Sequence, residues 1–181
     1  MKGYKYIIGL ALTCVLALWV SSSYAEKTSV TLTDYAVIAP EGHSEQARVL
    51  FQVDLPDLRG KEVDFAQLSF GIASLPGPYL EIEVYPLTTS WDSRSVSWTS
   101  PWQNVGGDFD DEDVTLVAIT RGESLKGHAD VTDIVRSWTK GTRTNRGIVL
   151  ISSREFPGDF QLVLGNQRAP VELEVRYSER D

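Results

Sequence analysis

Apolar and polar side chains alternate with a period of two through several short segments of this chain, and that pattern limits the possible folds more than any other feature. In 48–55, Val49, Phe51, Val53 and Leu55 alternate with Arg48, Gln52 and Asp54. In 66–73 the apolar set is Ala66, Leu68, Phe70 and Ile72; in 171–177 it is Val171, Leu173, Val175 and Tyr177, set against Glu172, Glu174 and Arg176. Further strands are expected at 30–37, 80–87, 114–119 and 160–164. A strand turns successive side chains to opposite faces, so each of these has one oily face and one wet face. Sheets of such strands bury their oily faces against each other. With Gly, Pro and Asp turns between the segments, the fold class expected is all-β, an antiparallel sandwich of the jelly-roll kind with one short helix.

The helix belongs to the stretch 130–153, DVTDIVRSWTKGTRTNRGIVLISS. Asp130 or Thr132 is suited to cap its first amides. Ile134, Val135 and Trp138 fall on one face of about two turns, and Gly141 stands where a helix takes a left-handed terminator. Gly147 then leads into Ile148, Val149, Leu150 and Ile151, an apolar run expected to be a buried strand. The helix therefore packs beside a core strand through Trp138.

At the start of the chain, Lys2 and Lys5 precede an apolar run from Tyr6 to Val20, and Ser23-Tyr24-Ala25 places small residues where a signal peptidase reads them. Residues 1–25 are expected to be a secretory signal peptide, and 26–181 a single domain in the periplasm or outside the cell. That domain holds no cysteine, because the only one is Cys14, so disulfides and thiolate chemistry are excluded from it. The formal charge of −8 becomes more negative once Lys2 and Lys5 are removed, which argues against a nucleic-acid partner. No stable membrane insertion is expected after cleavage.

Catalytic patterns are thin. His43 and His128 are the only histidines, and no Gly-x-Ser-x-Gly elbow surrounds a serine. His128, in Lys126-Gly127-His128-Ala129-Asp130, reads as part of a loop feeding the helix. The acidic stretch 106–113 reads either as a solvated loop or as a site for a structural calcium ion with Asp108, Asp110, Asp111 and Asp113 as oxygen ligands, and no other cofactor is expected. Among the aromatics, Trp91, Trp98 and Trp138 read as scaffold. Trp102, beside Pro101, Gln103 and Asn104, and Tyr79, between Pro78 and Leu80, read as stacking surfaces for a sugar ring.

The motif Asp130-Val131-Thr132, followed by an apolar pair, Trp138, Gly141, Asn145, Gly147 and an apolar strand, resembles the second half of the DNRLRE domain, a family of alginate-type carbohydrate-binding modules. Ala66-Gln67-Leu68, the run Val84 to Trp91, Val96-Ser97-Trp98 and Pro101 are similar to that family's middle, and Ala169 to Tyr177 to its closing strand. The resemblance covers most of the chain from about Arg48 onward and rests mainly on scaffold residues. Two places depart from the family pattern. The segment 39–46 replaces a longer front edge, and Gln161-Leu162-Val163-Leu164 lacks a serine-bearing position.

The resemblance implies a non-catalytic carbohydrate-binding module. An alginate-like chain carries carboxylates, which guanidinium forks bind well, and Arg136, Lys140, Arg143, Arg146 and Arg154 cluster in sequence around the helix and the strand after it. With Trp102 and Tyr79 they form the expected ligand-binding set, its partner a polysaccharide or a cell-surface component. Two alternatives stand beside this: a structural or adhesive surface protein that engages a protein partner, and a small hydrolase or lyase.

Overall fold

The computed structural model describes residues 25–75, 77–120, 125–153, 161–162 and 170–179. The expected signal peptide, apart from Ala25, lies outside the described residues, and so does Arg154. Among the described residues, ten strands and one α-helix follow in chain order: β1 (Glu26–Thr31), β2 (Tyr35–Ile38), β3 (Arg48–Phe51), β4 (Lys61–Ser74), β5 (Tyr79–Pro86), β6 (Thr115–Thr120), β7 (Lys126–Asp130), α1 (Thr132–Thr139), β8 (Ile148–Ser152), β9 (Gln161–Leu162) and β10 (Glu172–Glu179). They make two antiparallel sheets. Sheet one runs β1-β10-β4-β7, with β9 paired to the far half of β4; sheet two runs β2-β3-β8-β5-β6.

The alternating residues close the space between the sheets. Val49, Phe51, Ala66, Leu68, Phe70, Ile72, Leu173 and Val175 are all buried in one core, joined by Ile82, Val84, Ile119, Ile148 and Leu150 from sheet two. Fully burying side chains of this size contributes roughly 1.5–3 kcal/mol each, which makes this core the main stabilising element.

Three of the expectations that differ have a clear physical reason. The single strand expected over 30–37 is two, because the chain changes sheets: Leu32 N still donates to Val171 O (2.9 Å) in sheet one, while Gln52 N donates to Asp34 O (2.9 Å) in sheet two. β3 ends at Phe51, although Val53 stays buried in the core. Residues 126–130 are the strand β7, an edge of sheet one, and not a loop. Its inward positions are Gly127 and Ala129, too small to show as an apolar stripe; Gly127 is opposite Phe70, whose ring fills the space a side chain would take.

The helix keeps its expected face, with Ile134, Val135 and Trp138 buried. At its start Asp130 Oδ1 accepts the Thr132 amide (3.0 Å) and the Thr132 hydroxyl (2.5 Å), while Thr132 Oγ1 accepts the Ala66 amide (2.9 Å). Thr132 thus ties the helix to β4, while Asp130, one residue before the N-cap Val131, accepts the first helical amide. Gly141 ends the helix at φ +71°, its amide donating to Trp138 O (3.1 Å).

Candidate functional site

β5 and β6 are neighbours in sheet two, yet the chain between them, 87–114, is long and folds back across the outer face of that sheet. It covers a second apolar cluster. Leu50, Val149 and Tyr85 face outward from β3, β8 and β5, and Leu87, Trp91 and Trp102 close over them. Each indole also makes a polar anchor: Trp91 Nε1 donates to Arg146 O (3.0 Å), and Trp102 Nε1 donates to Ser97 O (2.8 Å).

Asp108 organises the same loop. Its carboxylate accepts the Gln103 amide (2.8 Å), the Asn104 amide (2.8 Å), the Asn104 side chain (3.2 Å) and the Thr89 hydroxyl (2.8 Å). Burial by itself would raise its pKa. The hydrogen bonds from Gln103, Asn104 and Thr89 outweigh that and hold it below the ordinary aspartate value.

Above this hub lies an open groove of about 550 Å³, lined by Arg48, Thr88, Thr89, Gln103, Asn104 and Asp111 among others. The Arg48 guanidinium sits 4.8 Å from the Trp98 ring centroid and 5.4 Å from that of Phe109, and Nη1 donates to Gly106 O (2.6 Å). A planar cation held against two rings is fixed in orientation. The groove therefore presents a preset cation, two hydroxyls and two side-chain amides, with exposed Val105 at its rim.

The residues singled out from sequence do not gather here. Trp102 is only 8 % exposed and serves as the floor of the loop, so its ring offers no stacking face. Tyr79 opens β5 opposite Thr120, about 20 Å along the strand from Tyr85 and the groove. Arg136 is engaged with the fold, through Nε to Val63 O (2.7 Å) and Nη2 to Asp64 O (3.0 Å). Arg143 bridges Asp110 and Asp113 at 2.5 Å each. Lys140 is exposed, and Arg146 supplies its carbonyl to Trp91.

The expected calcium ligands are dispersed in the same way. Asp108 is the loop hub, Asp110 and Asp113 hold Arg143, and Asp111 faces the groove. Among the described residues, no three His, Cys, Asp or Glu side chains come together as a metal site.

No model of a protein family matches the chain, and no curated protein matches it. Of the groove residues, Arg48, Thr88 and Thr89 carried no sequence signal, because a strand-opening arginine and a Thr pair are common on any sandwich. Gln103 and Asn104 were visible only as polar neighbours of Trp102.

His128 has one notable contact, a 3.0 Å hydrogen bond between Nδ1 and Ser69 Oγ. The pair is a cross-strand couple on the exposed face of sheet one, and Glu172 flanks Ser69 on the side away from the imidazole. A serine nucleophile needs its histidine oriented by an acid and an oxyanion site beside it, which the Ser69–His128 hydrogen bond alone does not make.

Proposed function

We propose that the protein is a secreted, non-catalytic carbohydrate-binding module with a jelly-roll sandwich, and that its ligand is a polysaccharide chain held in the groove beside Arg48. The observation that carries this reading is the lining of hydroxyl and amide side chains, Thr88, Thr89, Gln103 and Asn104, on a loop that Asp108 ties together over a buried aromatic floor through the Thr89 hydroxyl, the Asn104 side chain and the Gln103 backbone amide. Sugar hydroxyls both donate and accept, as do amides and hydroxyls, so convergent groups of this kind suit a saccharide. The residue pattern similar to DNRLRE modules supports the same class.

The groove changes the expected preference for an acidic chain. The arginines near α1 are largely engaged within the fold, and the groove's lining includes the anionic Asp111 as well as Arg48. On this reading uronate polymers bind no better than neutral ones.

A glycan array carrying neutral and uronate polymers tests the proposal. The purified protein retains at least one polysaccharide, and Gln103→Ala weakens that binding by roughly five-fold, the worth of about one hydrogen bond. Arg146→Ala leaves it unchanged. An array with no retained glycan, or binding lost on Arg146→Ala and kept on Gln103→Ala, removes the groove as the site.

A further inference from the structure

The far side of sheet two carries a surface of different chemistry. β6 is its last strand; among the described residues it pairs with β5, and the edge strand β7 of sheet one lies near its start, where Thr115 Oγ1 donates to Asp130 O (2.8 Å). In an antiparallel pair, every second residue of an edge strand turns its amide and carbonyl outward, which leaves a template for another strand. Edge strands are normally blunted by charges, prolines or bulges. The stretch 114–120, Val-Thr-Leu-Val-Ala-Ile-Thr, contains no charge and no proline, and its pairing with β5 has no register shift. On its outer face Val114 is 42 % exposed and Leu116 57 %.

Beside the first half of β6 lies a groove of about 550 Å³ whose lining includes Asp64, Asp113, Asp130 and Asp133 together with Arg136. Two of these carboxylates have a cation: Asp113 pairs with Arg143 (2.5 Å), and Asp133 with Arg136 (3.3 Å). Asp64 accepts only the Ser178 hydroxyl (3.3 Å), and Asp130 accepts the amide and hydroxyl of Thr132; neither has an ion-pair partner among the described residues. The groove is therefore acidic beside an uncharged, apolar strand edge.

We infer that the β6 edge takes up an extended, basic segment of a protein partner as an added strand, in which apolar residues alternate with Lys or Arg. A strand laid beside 114–120 turns one set of side chains onto the outer face, against Val114 and Leu116, and the alternate set toward Asp64 and Asp130. Main-chain hydrogen bonds supply affinity, and the side-chain alternation supplies selectivity. A second copy of this chain fits less well through sheet two, because neither β6 nor the opposite edge β2, Tyr35-Ala36-Val37-Ile38, contains a cation.

The test uses the purified protein and a capped, fluorescent Val-Lys-Val-Lys-Val-Lys-Val peptide, with its Val-Glu counterpart as control, read by anisotropy. The lysine peptide binds at least about ten-fold tighter than the glutamate peptide, and its affinity falls as salt rises. Leu116→Lys, at an exposed position, leaves the melting temperature unchanged and reduces lysine-peptide binding about ten-fold; Asp64→Asn reduces it about three-fold. Equal binding of both peptides, no binding up to about 1 mM, or binding indifferent to Leu116→Lys overturns the inference. So does sedimentation showing a dimer that Leu116→Lys converts to monomer, which assigns the edge to self-pairing.

Discussion

Gly127 on β7 lies directly against the ring of Phe70 on β4: a Cβ built on Gly127 would stand 2.3 Å from Phe70 Cε2 and 2.4 Å from Cζ. Phe70 is buried at 2 % exposure between the sheets, so its ring cannot swing away without opening the core. Gly127→Ala is expected to destabilise the protein by about 2 kcal/mol, in the range of overpacked cores. Phe70→Leu in the same chain recovers part of that loss, because the two changes act on one volume. Thermal melts of the two single variants and the double variant measure the coupling.

Two buried indoles separate packing from hydrogen bonding. Trp138 Nε1 is buried with no hydrogen-bond partner among the described residues, whereas Trp91 Nε1 donates to Arg146 O. Replacing Trp138 by Phe removes apolar contact but also removes an unsatisfied donor, which costs roughly 1–3 kcal/mol to keep buried. Trp138→Phe is therefore expected to be milder than Trp91→Phe, by about 1–2 kcal/mol in denaturant unfolding.

Asp108 links the groove to pH. Its folded pKa is depressed, so its stabilising effect is present above the ordinary aspartate value near 4 and fades as pH falls through the lower folded value. Asp108→Asn is expected to be less stable than the parent at pH 7 and to approach it as pH drops below about 4. Unfolding curves at several pH values in that window check the sign. Arg59 lowers the Asp57 pKa to about 2 through its side-chain hydrogen bond, but that pair is exposed and solvent screens its contribution to stability.

Arg143 does at the acidic loop what a bound cation would do there, joining Asp110 and Asp113 and tying 110–113 to the chain after α1. Arg143→Ala leaves two partly buried carboxylates side by side without their cation and is expected to cost about 1–3 kcal/mol, a few degrees in melting temperature. Millimolar calcium is expected to leave the melting temperature of the parent protein unchanged relative to chelator. A calcium-dependent rise in the parent would return the loop to the candidate metal sites.

Much of the fold was legible because period-two alternation fixes which face of a strand is buried: Val49, Phe51, Leu68, Phe70, Leu173 and Val175 all occupy the core the pattern assigns them. The single face of α1 was equally visible in Ile134, Val135 and Trp138. β7 was hidden because Gly127 yields its volume to a ring distant in sequence, which no local pattern records. The site was less legible still. Trp102 beside Pro101 looks the same in sequence whether it lies over a sugar or under a loop, and only the return of 87–114 across sheet two decides it. Arg136 and Arg143 form a cationic cluster in sequence, but their partners, Val63, Asp64, Asp110 and Asp113, come from other elements and absorb their donors.

The most direct measurement is a ¹H–¹⁵N titration of the protein with an oligosaccharide retained on the array. Ligand held in the groove shifts the amides of Thr88, Thr89, Gln103, Asn104 and Asp111 and the side-chain resonance of Arg48, the residues that line it together. Shifts confined to 136–146, or spectra that do not change at saturating saccharide, would contradict it.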